Sequence, residues 1–152
     1  MRVNFDFKEE LAATLEGASV NLCYQCGACT GDCPSARFHK DFNPREIMLK
    51  VLLGMRDDLI REDSIIWNCS SCYNCHERCP QSVKPVEIII ELKNLLAREG
   101  IFPKGVKETV EAIKKTGRST IVTDYTHKMR ESLGLPPLTS CEPGELSRIL
   151  EP

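Results

Sequence analysis

The sequence predicts a mainly α fold, and three observations lead there. Apolar residues recur at three- and four-residue intervals along several stretches, capping residues or prolines open those stretches and glycines close them, and nothing alternates with period two over a useful length. Between and around the helical stretches lie two copies of one cysteine run. The first reads Cys23-Tyr-Gln-Cys26-Gly-Ala-Cys29-Thr-Gly-Asp-Cys33-Pro34; the second, Cys69-Ser-Ser-Cys72-Tyr-Asn-Cys75-His-Glu-Arg-Cys79-Pro80, repeats the spacing without insertion or deletion.

Taken in order, residues 4–18 read as a helix. Asn4 or Asp6 caps it, Phe7, Leu11 and Leu15 share a face, and Gly17 ends it. Its apolar stripe suits packing on the cysteine-bearing domain and docking of a partner equally. Between the runs, Asn43 is an N-cap, Pro44 takes the first helical position, Ile47, Met48, Val51 and Leu52 form a buried face, and Gly54 closes the helix. A shorter pattern covers 57–61, and Ser64 precedes Ile65, Ile66 and Trp67. Pro85 opens the strongest helix, about 85–99, with Ile88, Ile89, Leu92, Leu95 and Leu96 on a wide face and Gly100 after its end. Helices over 103–116 and 124–133 follow, the second capped by Thr123 or Asp124 and ended by Gly134. After Leu135-Pro136-Pro137-Leu138 comes a short helical turn near 145–150, in a tail that we expect to order against a partner. The domain reading is an N-terminal helix (1–18), a helical domain with both runs (19–101), and a C-terminal helical extension and tail (102–152).

Three thiolates at i, i+3 and i+6 in a tight loop can face one small object, and thiolate is the soft ligand that iron–sulfur sites select. This spacing is the bacterial ferredoxin run, in which the fourth cysteine ligates the neighbouring cluster. The expected cofactors are two [4Fe–4S] clusters, the first on Cys23, Cys26, Cys29 and Cys79, the second on Cys69, Cys72, Cys75 and Cys33. Cys29 and Cys33 hold different clusters yet are four peptide steps apart, at most ~14 Å if extended and ~6 Å if helical, so the clusters make a relay. Zinc fits poorly, because its sites use separated cysteine pairs. Disulfides fit worse, with nine cysteines and no apolar signal core at the start.

A net charge of −2 gives no basic patch for nucleic acid, and no apolar run approaches the ~20 residues of a membrane span. The expectation is a cytoplasmic protein. There is no glycine-rich phosphate loop and no Ser/His/Asp grouping, so no catalytic residue is expected on this chain. Gly27 and Gly31 let backbone approach a cluster, a role that turn geometry alone also explains. Tyr24, Tyr73 and Trp67 are expected to shield the clusters, and His76 with Arg78 either to raise the potential of the second or to lie exposed to solvent. Cys141 reads as an ordinary free thiol, and His39 and His127 as surface or helix residues.

The two cysteine runs, with the sequence from Ile88 to Gly100 and the Gly-Leu-Pro-Pro segment at 134–137, resemble the C subunit of the soluble heterodisulfide reductases of methanogenic archaea. The runs alone also occur in the iron–sulfur subunits of succinate dehydrogenase, fumarate reductase and anaerobic glycerol-3-phosphate dehydrogenase. The resemblance implies a helical ferredoxin fold whose eight run cysteines bind two [4Fe–4S] clusters. It implies electron transfer from the A subunit, which carries flavin and iron–sulfur centres, to the catalytic B subunit, which reduces the coenzyme M–coenzyme B heterodisulfide. A hydrogenase or formate dehydrogenase can be joined to such a complex. The Cys-Cys-Gly motif of the B subunit is missing, so the disulfide is not expected to be reduced here. The alternatives are the iron–sulfur subunit of another anaerobic oxidoreductase, of the quinone-linked dehydrogenase or fumarate reductase type, and a zinc-binding interaction module.

Overall fold

Asn4 starts the first helix, α1 (Phe5–Ala12), by leaving its own backbone extended so that its side-chain oxygen accepts the N–H groups of Asp6 and Phe7, at 3.0 and 3.3 Å. The computed structural model describes residues 3–14, 17–120 and 122–138, and among these every regular element is helical. Phe7 and Leu11 are buried, while Phe5, off that face, is 83% exposed. The helix ends well short of residue 18. Thr14 winds tightly onto the Leu11 carbonyl, with its N–H at 3.0 Å and its hydroxyl at 2.7 Å, and so occupies the acceptor that the next α-helical N–H would use. Leu15 lies outside the described residues, and Gly17 opens a 3₁₀ helix, Gly17–Leu22, rather than closing α1.

Two short helices follow the first thiols: α2 (Ala28–Gly31), and α3 (Pro34–Phe38), which starts on the proline after Cys33. Neither has an apolar stripe that the sequence pattern reveals. α4 (Pro44–Leu52) forms as the Asn43-Pro44 signal predicts, with Asn43 accepting the Glu46 N–H at 3.2 Å and Ile47, Met48 and Val51 buried. The pattern expected at 57–61 is α5 (Arg56–Leu59), one residue earlier and a single turn long. A 3₁₀ helix, Ile65–Asn68, leads into the second run, which contains α6 (Asn74–Glu77). α7 (Pro85–Arg98) is the longest helix described. Its Val86, Ile88, Ile89, Leu92 and Leu96 are fully buried, each contributing ~1.5–3 kcal/mol.

The core is one cluster shared by α1, α4, α7 and the two 3₁₀ helices, with Phe42, Leu59 and Val83 between them. Gly54 docks α1 onto α4. It has φ +66° and its carbonyl accepts the Asn4 N–H at 2.8 Å, so near that a Cβ on residue 54 would lie 2.2 Å from the Asn4 oxygen. Around this core, α2 packs on both α4 and α6, and α6 packs on α7. That arrangement sets the helix of the first cysteine run against the helix of the second.

The chain divides after Phe102 into a second compact unit. It contains α8 (Lys104–Thr116), ended by Gly117 at φ +69°, and α9 (Asp124–Ser132). Thr123 and Thr126 form a reciprocal capping box on α9, and the Arg130 guanidinium donates to the Pro136 carbonyl at 2.8 Å. Cys141 and the turn expected near 145–150 lie outside the described residues.

Candidate iron–sulfur site

The two runs share a backbone as well as a spacing. Gln25 and Ser71, each just before the second cysteine of its run, have φ +62° and +52°; Gly27 and Tyr73, each just after it, have φ +84° and +64°. Left-handed backbone costs a non-glycine residue roughly 1–2 kcal/mol, and here three such residues accept it at matching positions. The reversal on either side of Cys26 and Cys72 curls each loop around its thiols. The single-turn helices α2 and α6 then carry Cys29 and Cys75.

All eight run cysteines are free thiols, so no disulfide joins any of them. Their exposure repeats at the first two positions, where Cys26 and Cys72 are exposed and Cys23 and Cys69 half-buried, but not beyond: the buried thiols are Cys33, the fourth of its run, and Cys75, the third of its run. Cys23, Cys26 and Cys29 line one recess together with Cys79, the last cysteine of the other run. The proximity of Cys33 to the second run shows in its electrostatics. Burial raises the Cys33 thiol above its ordinary range against the backbone N–H groups of Ala36 and Ser35, and the charges that push it further are Cys72 and Cys69. Cys29, four residues earlier, is raised first by burial and is pushed by Cys23 and Cys26 of its own run. The Cys75 thiol is pushed up to about 12, mainly by burial and then by Cys69, Cys29, Cys33 and Cys72. The fourth cysteine of each run thus faces the other run's thiols.

The donor set suits clusters better than a lone ion. Four thiolates around one zinc lie about 3.8 Å from one another, as 2.3 Å bonds in a tetrahedron require. Among the described residues no three Cys, His, Asp or Glu side chains gather closely enough to hold a single metal ion. Cys23, Cys26, Cys29 and Cys79 instead line a common recess. Three buried polar atoms at the runs lack any partner in the protein: Gln25 Oε1, Trp67 Nε1 and His76 Nδ1. Others already serve sulfur, since Gln25 Nε2 donates to Cys23 Sγ at 3.2 Å and the Val83 N–H donates to Cys79 Sγ at 3.3 Å.

Some expectations change. The Arg78 charge is not held for the second run, because its Nε pairs with Asp32 of the first at 3.1 Å, with the Arg78 side chain largely in water. Asn74 ties the same two segments by donating to the Asp32 carbonyl at 3.3 Å. Tyr24 and Tyr73 are exposed, whereas Trp67 is half-buried. Sequence reasoning passed over Lys93, whose ammonium donates to the Cys69 carbonyl at 2.9 Å. The available signal was its position four residues after Ile89 and three before Leu96, on the flank of a buried stripe. It also passed over Thr30 and Asn43. The Thr30 hydroxyl donates to Asn43 Oδ1 at 2.7 Å and accepts the Arg45 N–H at 3.1 Å, fixing α2 to the start of α4.

Comparison with known proteins agrees with this geometry. Residues 19–83 match the 4Fe-4S dicluster domain family, and the cofactors are two [4Fe–4S] clusters. The chain is 39% identical over 147 residues to the iron-sulfur C subunit of the CoB–CoM heterodisulfide reductase of Methanopyrus kandleri, covering 90% of this chain and 76% of that protein. It is 35% identical over 150 residues to the C subunit of the H(2):CoB-CoM heterodisulfide,ferredoxin reductase of Methanothermobacter thermautotrophicus, covering 97% and 80%. It is 34% identical over 132 residues to the C subunit of the ferredoxin:CoB-CoM heterodisulfide reductase of Methanosarcina mazei, covering 86% and 80%. No described helix is long and apolar enough to cross a membrane. With two matching thiol-lined loops in a strandless described fold and relatives of one kind along most of its length, the chain belongs to the family of heterodisulfide reductase iron–sulfur C subunits.

Proposed function

We propose that this chain is the electron-relay subunit of a cytoplasmic heterodisulfide reductase complex. It passes electrons from the flavin-containing A subunit to the catalytic B subunit, which reduces the coenzyme M–coenzyme B heterodisulfide. Cys23, Cys26, Cys29 and Cys79 hold the first cluster, and Cys69, Cys72, Cys75 and Cys33 the second. The observation that carries the reading is Cys79 lining the recess of the first run's three thiols, with Cys33 facing Cys69 and Cys72. Residues 19–101 form the cluster domain, α1 in the segment before it packs on the same core, and the segment from 102 onward is an extension available to the partners.

The clusters, held by these eight cysteines, would supply one-electron carriers. The protein's part is to hold and shelter them. The left-handed turns at 25, 27, 71 and 73 present the thiolates, Gln25 and the Val83 N–H donate to two of the sulfurs, and Met48, Val83 and Pro85 wall the first recess with carbon.

The test is anaerobic reconstitution of the three proteins, with the reduced flavoprotein as electron source and heterodisulfide as acceptor. Turnover should require this chain and should fall at least tenfold when Cys33 or Cys79 is replaced by Ala. Equal turnover without the chain, or its recovery with a quinone-linked membrane partner and no disulfide reductase, would overturn the assignment.

A further inference from the structure

Helix α7 brings one cation to the second cysteine run. Lys93 is half-buried, its ammonium donates to the Cys69 carbonyl at 2.9 Å, and it lies 5.8 Å from the centre of the Trp67 ring. Both partners belong to the loop entering the run, so the charge is fixed at two points rather than free to sweep through solvent. The Trp67 indole N–H is buried without a partner beside it. Two other cations near the runs are placed differently. Arg78 is largely exposed and neutralised by Asp32, and Arg45 at the first recess is exposed. Solvent screens such groups far more than a sheltered one.

We propose that Lys93 is a positioning residue that raises the reduction potential of the second cluster and leaves the first unaffected; this rests on the crossed ligand reading above. One-electron reduction adds one negative charge to a cluster and its four thiolates, with no proton taken up. A fixed cation hydrogen-bonded to the backbone of Cys69 stabilises that reduced state more than the oxidised one. The electron supplied by the donor is therefore held more firmly at the second run than the thiolates alone would allow.

The experiment is an anaerobic redox titration of the holoprotein, followed by electron paramagnetic resonance, for the wild type and for K93Q, K93M, K93R, C33A and C72A. Lys93→Gln can keep the hydrogen bond to Cys69 while losing the charge, and Lys93→Met keeps the stem over Trp67 if the glutamine variant misfolds. C33A and C72A should lose or alter the same one of the two potentials, which identifies the second cluster. That potential should fall in K93Q and K93M and return in K93R, while the other stays at its wild-type value and the iron content is unchanged. Full iron with both potentials unmoved in K93Q and K93M would overturn the proposal, as would a shift confined to the other cluster or a failure of K93R to restore it. If C33A and C72A affected different potentials, the crossed ligand reading would fail instead, whatever the Lys93 variants did.

Discussion

Gly27 and Tyr73 stand at equivalent places in the two cysteine runs and hold the same left-handed backbone, at φ +84° and +64°. The second run therefore carries a Cβ where the first has none. A Cβ added at Gly27 would meet only Arg45 Cδ, at 3.7 Å, an ordinary contact. Replacing Gly27 with Ala should cost about 1 kcal/mol, from backbone conformation alone, with both clusters retained. Anaerobic urea unfolding with iron analysis checks this; loss of a cluster would show that the glycine serves the cofactor.

Gly54 should behave differently. Its φ of +66° is similar, but a Cβ would lie 2.2 Å from the Asn4 oxygen and 3.0 Å from its carbon, both backbone atoms. Gly54→Ala must push α1 off α4 or strain both, so we expect a loss of more than ~3 kcal/mol, within the range of severe single substitutions. Unfolding followed by circular dichroism measures it. A cost as small as that at Gly27 would mean that α1 is not held by this contact.

Asn43→Ala removes two things at once. The Glu46 N–H loses its cap, and the Thr30 hydroxyl, which also accepts from Arg45, loses its acceptor. The expected cost is about 1–2 kcal/mol. Because Thr30 sits beside Cys29, iron release from the first cluster should also quicken, which bleaching of the visible absorption in the presence of a chelator would show. Unchanged release would confine the effect to α4.

The Cys75 thiol, raised from 9.0 to about 12 chiefly by burial, implies a pH dependence. Between those values the folded apoprotein keeps a proton that the unfolded chain has lost. Its contribution is therefore complete below about pH 9 and declines as pH rises toward 12. Denaturant midpoints of the anaerobic apoprotein, compared with those of Cys75→Ala, should converge over that window. In the loaded protein a bound thiolate replaces the thiol and the convergence should vanish; a constant difference in the apoprotein would refute the assignment.

The parts of this structure that were legible in the sequence are those whose cause is local. Asn43-Pro44, Pro85, Gly100 and Thr123 mark helix ends because a cap or a left-handed residue acts within one turn, and the buried faces of α4 and α7 follow from spacing. The thiols were legible because their spacing is itself the signal. α2, α3 and α6 were not: each has only four or five residues, too few to show a period, and the equally short α5 was legible only to within a residue. The end of α1 depends on one hydroxyl, that of Thr14. Arg78 finds Asp32 across forty-six residues, and Lys93 finds Cys69 across twenty-four; periodicity contains no term for such pairings.

The position of Cys79 in the recess of Cys23, Cys26 and Cys29 also bears on how the protein is made. The ribosome delivers the first three thiols early, but the pocket that they line has no fourth wall until the chain has been extended past residue 79. On the crossed ligand reading proposed above, a chain cut short of residue 79 would therefore offer the first cluster only three of its four thiolates, whatever the length of the first run.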